Sequence, residues 1–265
     1  MDLSITGPKV FLELPFDLPE SDIFTMKNLI TQTTVTLFTV TVLLIVLAVA
    51  LTRNLTKRPG RLQVLVEKGV GMIYGLVEDT MGKHNAKFAP YIGTLFLSSV
   101  FCTLIGMTQI FRSATADLSV TAAWALVTTG MVWYNNIKNF GFKTWLKGFT
   151  EPIVVMTPMN IVSEIASPLS MAFRHFGNVA GGSVLTALIY GALSAASSLL
   201  FSWLPGFLGE IPFLTAGIPA FLSIYFDLFS GFVQAFVFSL LTMIYVGGAC
   251  PPPEELPVRE KKEKA

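Results

Sequence analysis

Arg174 lies where a membrane helix should carry no charge. Nine uncharged residues separate it from Glu164, and thirty-five follow before Glu210. A guanidinium at mid-membrane costs between about 3 and more than 10 kcal/mol unless water or an opposite charge attends it. Its own helix offers no carboxylate on the outward side, and the nearest inward one, Glu164, is ten residues away. The balancing charge is therefore expected on another subunit, as a carboxylate met within the membrane.

Other polar groups fall around Arg174 at helical spacing. Asn178 is four residues on and shares its face. Gln234 follows Asp227 by seven residues, two turns, so these also share a face. Taking the two segments as an antiparallel hairpin with Gln234 level with Arg174 brings Asp227 level with residue 181, near Ser183. Inward, Ser167 then falls beside Thr242, and Glu164 falls near Ile244 and Tyr245. The pattern is an outer polar cluster (Asp227, Ser183, Asp117), a central cation with amides (Arg174, Asn178, Gln234) and an inner cluster (Glu164, Ser167, Thr242). Two wet half-paths separated by a fixed positive charge suit ion transfer to a moving carrier. Plainer roles also exist for these residues. Asn178 and Gln234 suit an interhelical hydrogen bond, worth about 1 kcal/mol. Asp117, in Ala116-Asp117-Leu118-Ser119, suits a helix cap. His175 is one step from Arg174, about 100° around a helix, and is expected to pack.

The elements that must carry these groups are membrane helices. The chain has 265 residues, 52% hydrophobic and 13% charged, with a mean hydropathy of +0.64. A soluble domain carries about 25% charged residues. A net charge of +1 gives no basic footprint for nucleic acid. Cys102 and Cys250 fit neither a disulfide framework nor a metal spacing, and Ala180-Gly181-Gly182-Ser183 lacks the lysine of a phosphate loop. No cofactor or metal is expected.

The expected fold is all-α and polytopic, with five membrane-crossing helices in a single membrane domain. Residues 1–27 form an external, acidic leader. The spans are 28–52, 88–111, 118–137 (the most polar), a tilted helix 152–195 holding Arg174, and a final helix 218–249. An external loop, 196–217, rich in Pro, Gly and Trp, joins the last two. Residues 250–265 form a cytoplasmic tail that starts with a proline run. Between spans one and two, Leu62, Leu65, Val66, Gly69, Val70, Ile73, Leu76 and Val77 recur at helical spacing, so 61–82 reads as an amphipathic helix on the cytoplasmic surface. Lys and Arg crowd the first loop, the loop after span three and the tail, which sets the amino terminus outside and the carboxyl terminus in the cytoplasm. The internal repeats of secondary transporters are not seen, and a purely structural membrane protein needs no intramembrane Arg, Asp and Gln.

Arg174-His175-Phe176-Gly177-Asn178, with Ser167-Pro168-Leu169-Ser170 before it, resembles the signature of subunit a of bacterial F-type ATP synthases. So do the run from Gln234 to Tyr245, the segment from Thr115 to Thr121, and Pro158-Met159-Asn160 with Glu164. The resemblance implies a non-enzymatic stator subunit in the bacterial plasma membrane. Its last two helices form a long tilted hairpin along a rotating c-subunit ring, and peripheral-stalk b subunits hold it. Arg174 faces the ring carboxylates as an electrostatic gate, with Asn178 and Gln234 beside it. Two half-channels deliver and remove H+, or Na+ in a sodium-coupled synthase. One departure stands out. Many members carry a Glu five residues after the signature Asn and a His seven before the Gln, where this chain has Ser183 and Asp227.

Overall fold

Backbone polar groups left unpaired cannot enter hydrocarbon, so apolar runs of this length fold as helices. The computed structural model describes residues 10–12, 30–53, 55–57, 59–108, 112–151, 153–201 and 224–252. Its helices are α1 (Gln32–Thr52), α2 (Arg61–Met81), α3 (Ala89–Met107), α4 (Leu118–Phe140), α5 (Phe142–Gly148), α6 (Thr157–Phe201) and α7 (Ser230–Gly248). Short 3-10 turns cover Lys83–Phe88, Ala114–Ala116 and Val154–Met156, and a π-helical turn, Ile224–Phe229, leads into α7. Among the described residues, four stretches are long and apolar enough to cross a membrane: Gln32–Thr52, Lys83–Met107, Val154–Leu200 and Ser230–Gly248. This is a polytopic membrane protein. The expected third span forms α4, whose 23 residues suffice in length but include Asn135, Asn136, Lys138 and Asn139. It is not among the four.

The boundaries differ from the sequence expectation in instructive ways. The fold is all-helical in class, with one short antiparallel pair between Ile30–Thr31 and Val10–Leu12 ahead of the first helix. The first helix starts after Thr31, whose hydroxyl caps it by accepting from Thr34 N at 3.3 Å. The tilted helix starts at Thr157 and continues to Phe201, into the expected external loop. Its 45 residues span about 67 Å at 1.5 Å per residue, too long for one upright crossing of a core about 30 Å thick. Gly82 (φ +83°) ends α2 and Gly141 (φ +86°) ends α4, each in the left-handed region that glycine tolerates. The rest of the external loop, the leader apart from residues 10–12, and the end of the tail lie outside the described residues.

The chain divides into two compact units. The first comprises 1–53, 97–120 and 174–235. There α1 is inside-out: its buried residues are Thr33, Thr36 and Val40, while Val46 is 61% exposed. Such a helix is stable only if its outer face meets lipid or a partner. Its hydroxyls are satisfied locally, Thr36 donating to Gln32 O at 2.9 Å and Thr39 to Val35 O at 2.8 Å.

The second unit comprises 54–96, 121–173 and 236–265. It has an apolar core of Val77, Met81, Ala89, Ile92, Met243 and Val246. A helix leaves its last carbonyls unpaired, and here side chains satisfy those at the end of α7. Asn85 Nδ2 donates to Cys250 O at 2.8 Å, His84 Nε2 lies 2.9 Å from the same oxygen, and Asn139 Nδ2 donates to Ala249 O at 2.8 Å. Burial raises the Cys250 thiol pKa, against the opposing pull of Lys87, Asn139 and Lys138. In α2 only Val77 and Met81 are buried. The amino-terminal half of its stripe stays open, with Leu62 72% exposed.

Candidate functional site

The site forms on α6, where small residues leave one face bare. Arg174, Gly177, Asn178, Gly181, Leu185 and Leu188 recur at helical spacing and are all exposed. A Cβ added at Gly177 or Gly181 would meet nothing within 4 Å. Arg174 has no hydrogen bond or ion pair to any described residue. A strong, permanently charged donor thus stands on an open, glycine-lined face of a membrane helix.

Its amide neighbours come together differently from the expectation. Asn178 Nδ2 donates to Gln234 Oε1 at 2.6 Å, so Gln234 is paired with Asn178 rather than level with Arg174. The register assumed from sequence is off by one helical turn. Gln234 is 3% exposed, and its Nε2 has no hydrogen-bond partner among the described residues. Next to it on α7, Gly231 faces Thr103 so closely that any Cβ would collide.

His175 is fully buried, as packing required, but it is also hydrogen-bonded. Its Nε2 lies 3.1 Å from Ser99 Oγ on α3. Sequence reasoning missed Ser99. The available signal was Ser99 and Thr103, four residues apart on one face of an apolar run.

Asp117 takes up its capping role. Its Oδ1 accepts from Ser119 N at 3.0 Å and Ser119 Oγ at 2.7 Å, and its Oδ2 accepts from Thr33 Oγ1 at 2.9 Å. Asp227 falls in the π-helical turn and Ser183 in α6. Their side chains lie outside the description.

The expected inner trio finds separate partners. Glu164 accepts from Trp133 Nε1, Ser167 donates to Ser163 O at 2.8 Å, and Thr242 donates to Phe238 O at 2.9 Å. No hydrogen bond joins the three. Glu164 instead lines a cavity of about 460 Å³ with Asn136, Thr144, Trp145, Asn160 and Ser163. No group of three His, Cys, Asp or Glu suited to a metal occurs among the described residues.

The family model for the ATP synthase A chain matches residues 34–247, which include the α6 face, Gln234 and Asp117. The chain belongs to the ATP synthase subunit a family. It is 31% identical to the sodium ion specific ATP synthase subunit a of Propionigenium modestum, covering 95% of this chain and 88% of the relative. It is 34% identical to ATP synthase subunit a 1 of Crocosphaera subtropica (74% and 76% covered) and 32% identical to the subunit a of Bacillus subtilis (77% and 86% covered). As a subunit a it is a non-catalytic membrane component of the Fo part of the ATP synthase complex and works with a coupling ion in ATP synthesis.

Proposed function

We propose that the bare α6 face is the surface this subunit a presents to a ring of c-subunits, with Arg174 as the gate between two ion half-channels. The observation that carries this is Arg174 itself, exposed on a glycine-lined face without a partner among the described residues. Removing a guanidinium from water without a counter-charge is costly, and a ring carboxylate supplies one. As the ring turns, the guanidinium displaces the coupling ion from each arriving carboxylate. Between arrivals its fixed charge repels cations and blocks a direct leak. The membrane potential supplies about 2.3 kcal/mol per charge per 100 mV.

The outer half-channel runs by Asp227, Ser183 and Asp117, and the inner one by Glu164. The Glu164 cavity supports the inner path. With Asn178 paired to Gln234, an antiparallel count brings Asp227 opposite residue 185, still within a turn of Ser183. The coupling ion is H+. The sodium ion specific relative from Propionigenium modestum favours Na+ as the second reading, because oxygen ligands such as Asp227 and Ser183 suit a hard cation.

The subunit crosses the bacterial plasma membrane five times, amino terminus outside, with α2 on the cytoplasmic surface and b subunits bracing it. The half-exposed stripe of α2 supports the surface position.

ATP-driven pumping in sealed vesicles tests the reading, with and without sodium. Asp227→Asn should strongly reduce ion flux, and Ser183→Glu added to it should partly restore it. Normal pumping by Asp227→Asn would remove this carboxylate from the path.

A further inference from the structure

From residue 174 to residue 196, His175 is the one fully buried side chain among those described in α6. Its neighbours Arg174, Gly177, Asn178 and Gly181 are exposed, and the two glycines have no packing partner for a Cβ. Apolar burial on this side of α6 ends one turn back, at Met171 and Ala172, and from Arg174 onward apolar packing does little to fix how the helix is turned about its axis. The buried contact that does so is directional: His175 Nε2 lies 3.1 Å from Ser99 Oγ, and Ser99 is itself buried. The Ser99 carbonyl also accepts from Thr103 Oγ1 at 3.1 Å, which ties the same turn of α3 together. A leucine would fill this volume as well, but without a preferred angle. A hydrogen-bonded imidazole weakens steeply when misaligned.

Adjacent residues are about 100° apart on a helix, so the torsion that seats His175 on Ser99 also sets where Arg174 points. We propose that Ser99 and His175 are positioning residues for Arg174: they pin the rotation of α6 so that the guanidinium stays on the bare face. The Asn178–Gln234 bond, one turn further on, is a second restraint from α7. This inference rests on the reading of Arg174 as the gate.

The test uses the assembled synthase in inverted vesicles and reads ions pumped per ATP hydrolysed, together with the amount of complex assembled. Ser99→Ala and His175→Phe should each lower the pumping ratio by about fivefold or more, the worth of one buried hydrogen bond, with assembly kept. The double variant should be no worse than either single one, because both remove the same bond. His175→Gln, which keeps a donor and an acceptor, should stay within about twofold of the parent. Ser99→Ala changes little volume, so it decides the matter if His175→Phe fails to assemble. An unchanged pumping ratio in Ser99→Ala, with or without a fall in assembled complex, would overturn the proposal. Arg174→Ala, run in parallel, separates the two readings. If it stops pumping while Ser99→Ala does not, only the positioning role falls. If Arg174→Ala pumps normally, the gate falls as well.

Discussion

The two ends of α7 show opposite ways of holding a membrane helix. At its carboxyl end, Met243 and Val246 sit in an apolar core with Val77, Met81, Ala89 and Ile92, and the last carbonyls are closed off by Asn85, His84 and Asn139. Toward its amino end, Gln234 is held by one amide bond to Asn178, on a helix whose other face is bare. The first region is finished within the subunit. The second borders the bare face of α6, the face we propose meets a moving partner.

Substitutions can break this contrast. Arg174→Ala should have the largest effect, abolishing coupled pumping while leaving assembly intact, since removing a costly charge should not unfold a helix. Arg174→Lys should also fail largely, because an ammonium lacks the planar fork. Vesicle pumping and the yield of purified complex check both. Met243→Ala should do the reverse. A buried methionine cut to alanine costs about 2–5 kcal/mol, so heat stability of the complex should fall while pumping per assembled complex holds. Asn85→Ala should cost about 0.5–1.5 kcal/mol, because it removes one hydrogen bond to Cys250 O while His84 Nε2 still reaches that oxygen, read as a smaller drop in the same melting experiment. The mildest prediction concerns Cys250. Its raised thiol pKa leaves little thiolate at neutral pH, so maleimide labelling should be slow near pH 7 and should accelerate as pH climbs past the usual thiol range.

The sequence was most legible where physics acts locally. Long apolar runs had to become helices, so α1, α3, α6 and α7 could be read directly. Asp117 followed from capping chemistry, with Ser119 two residues on. What depended on distant partners was not legible. Nothing in the order of residues links His175 to Ser99, 76 positions away, or fixes Gln234 on Asn178 rather than Arg174. A one-turn slip keeps the same helix faces together, so periodicity is blind to it. The seven-residue α5 was missed because a short helix has too few turns to show a period.

The central claim is that the Arg174 face of α6 meets the c-subunit ring, and disulfide trapping tests it most directly. In a synthase whose native cysteines are replaced, Gly177→Cys or Gly181→Cys is paired with a cysteine one turn from the ring carboxylate. Both glycines have room for a side chain. Mild oxidation should give a covalent product of subunit a with a c-subunit from either position, and none from Val46→Cys on the outer face of α1. A product from Val46→Cys, with none from Gly177→Cys or Gly181→Cys, would contradict the account.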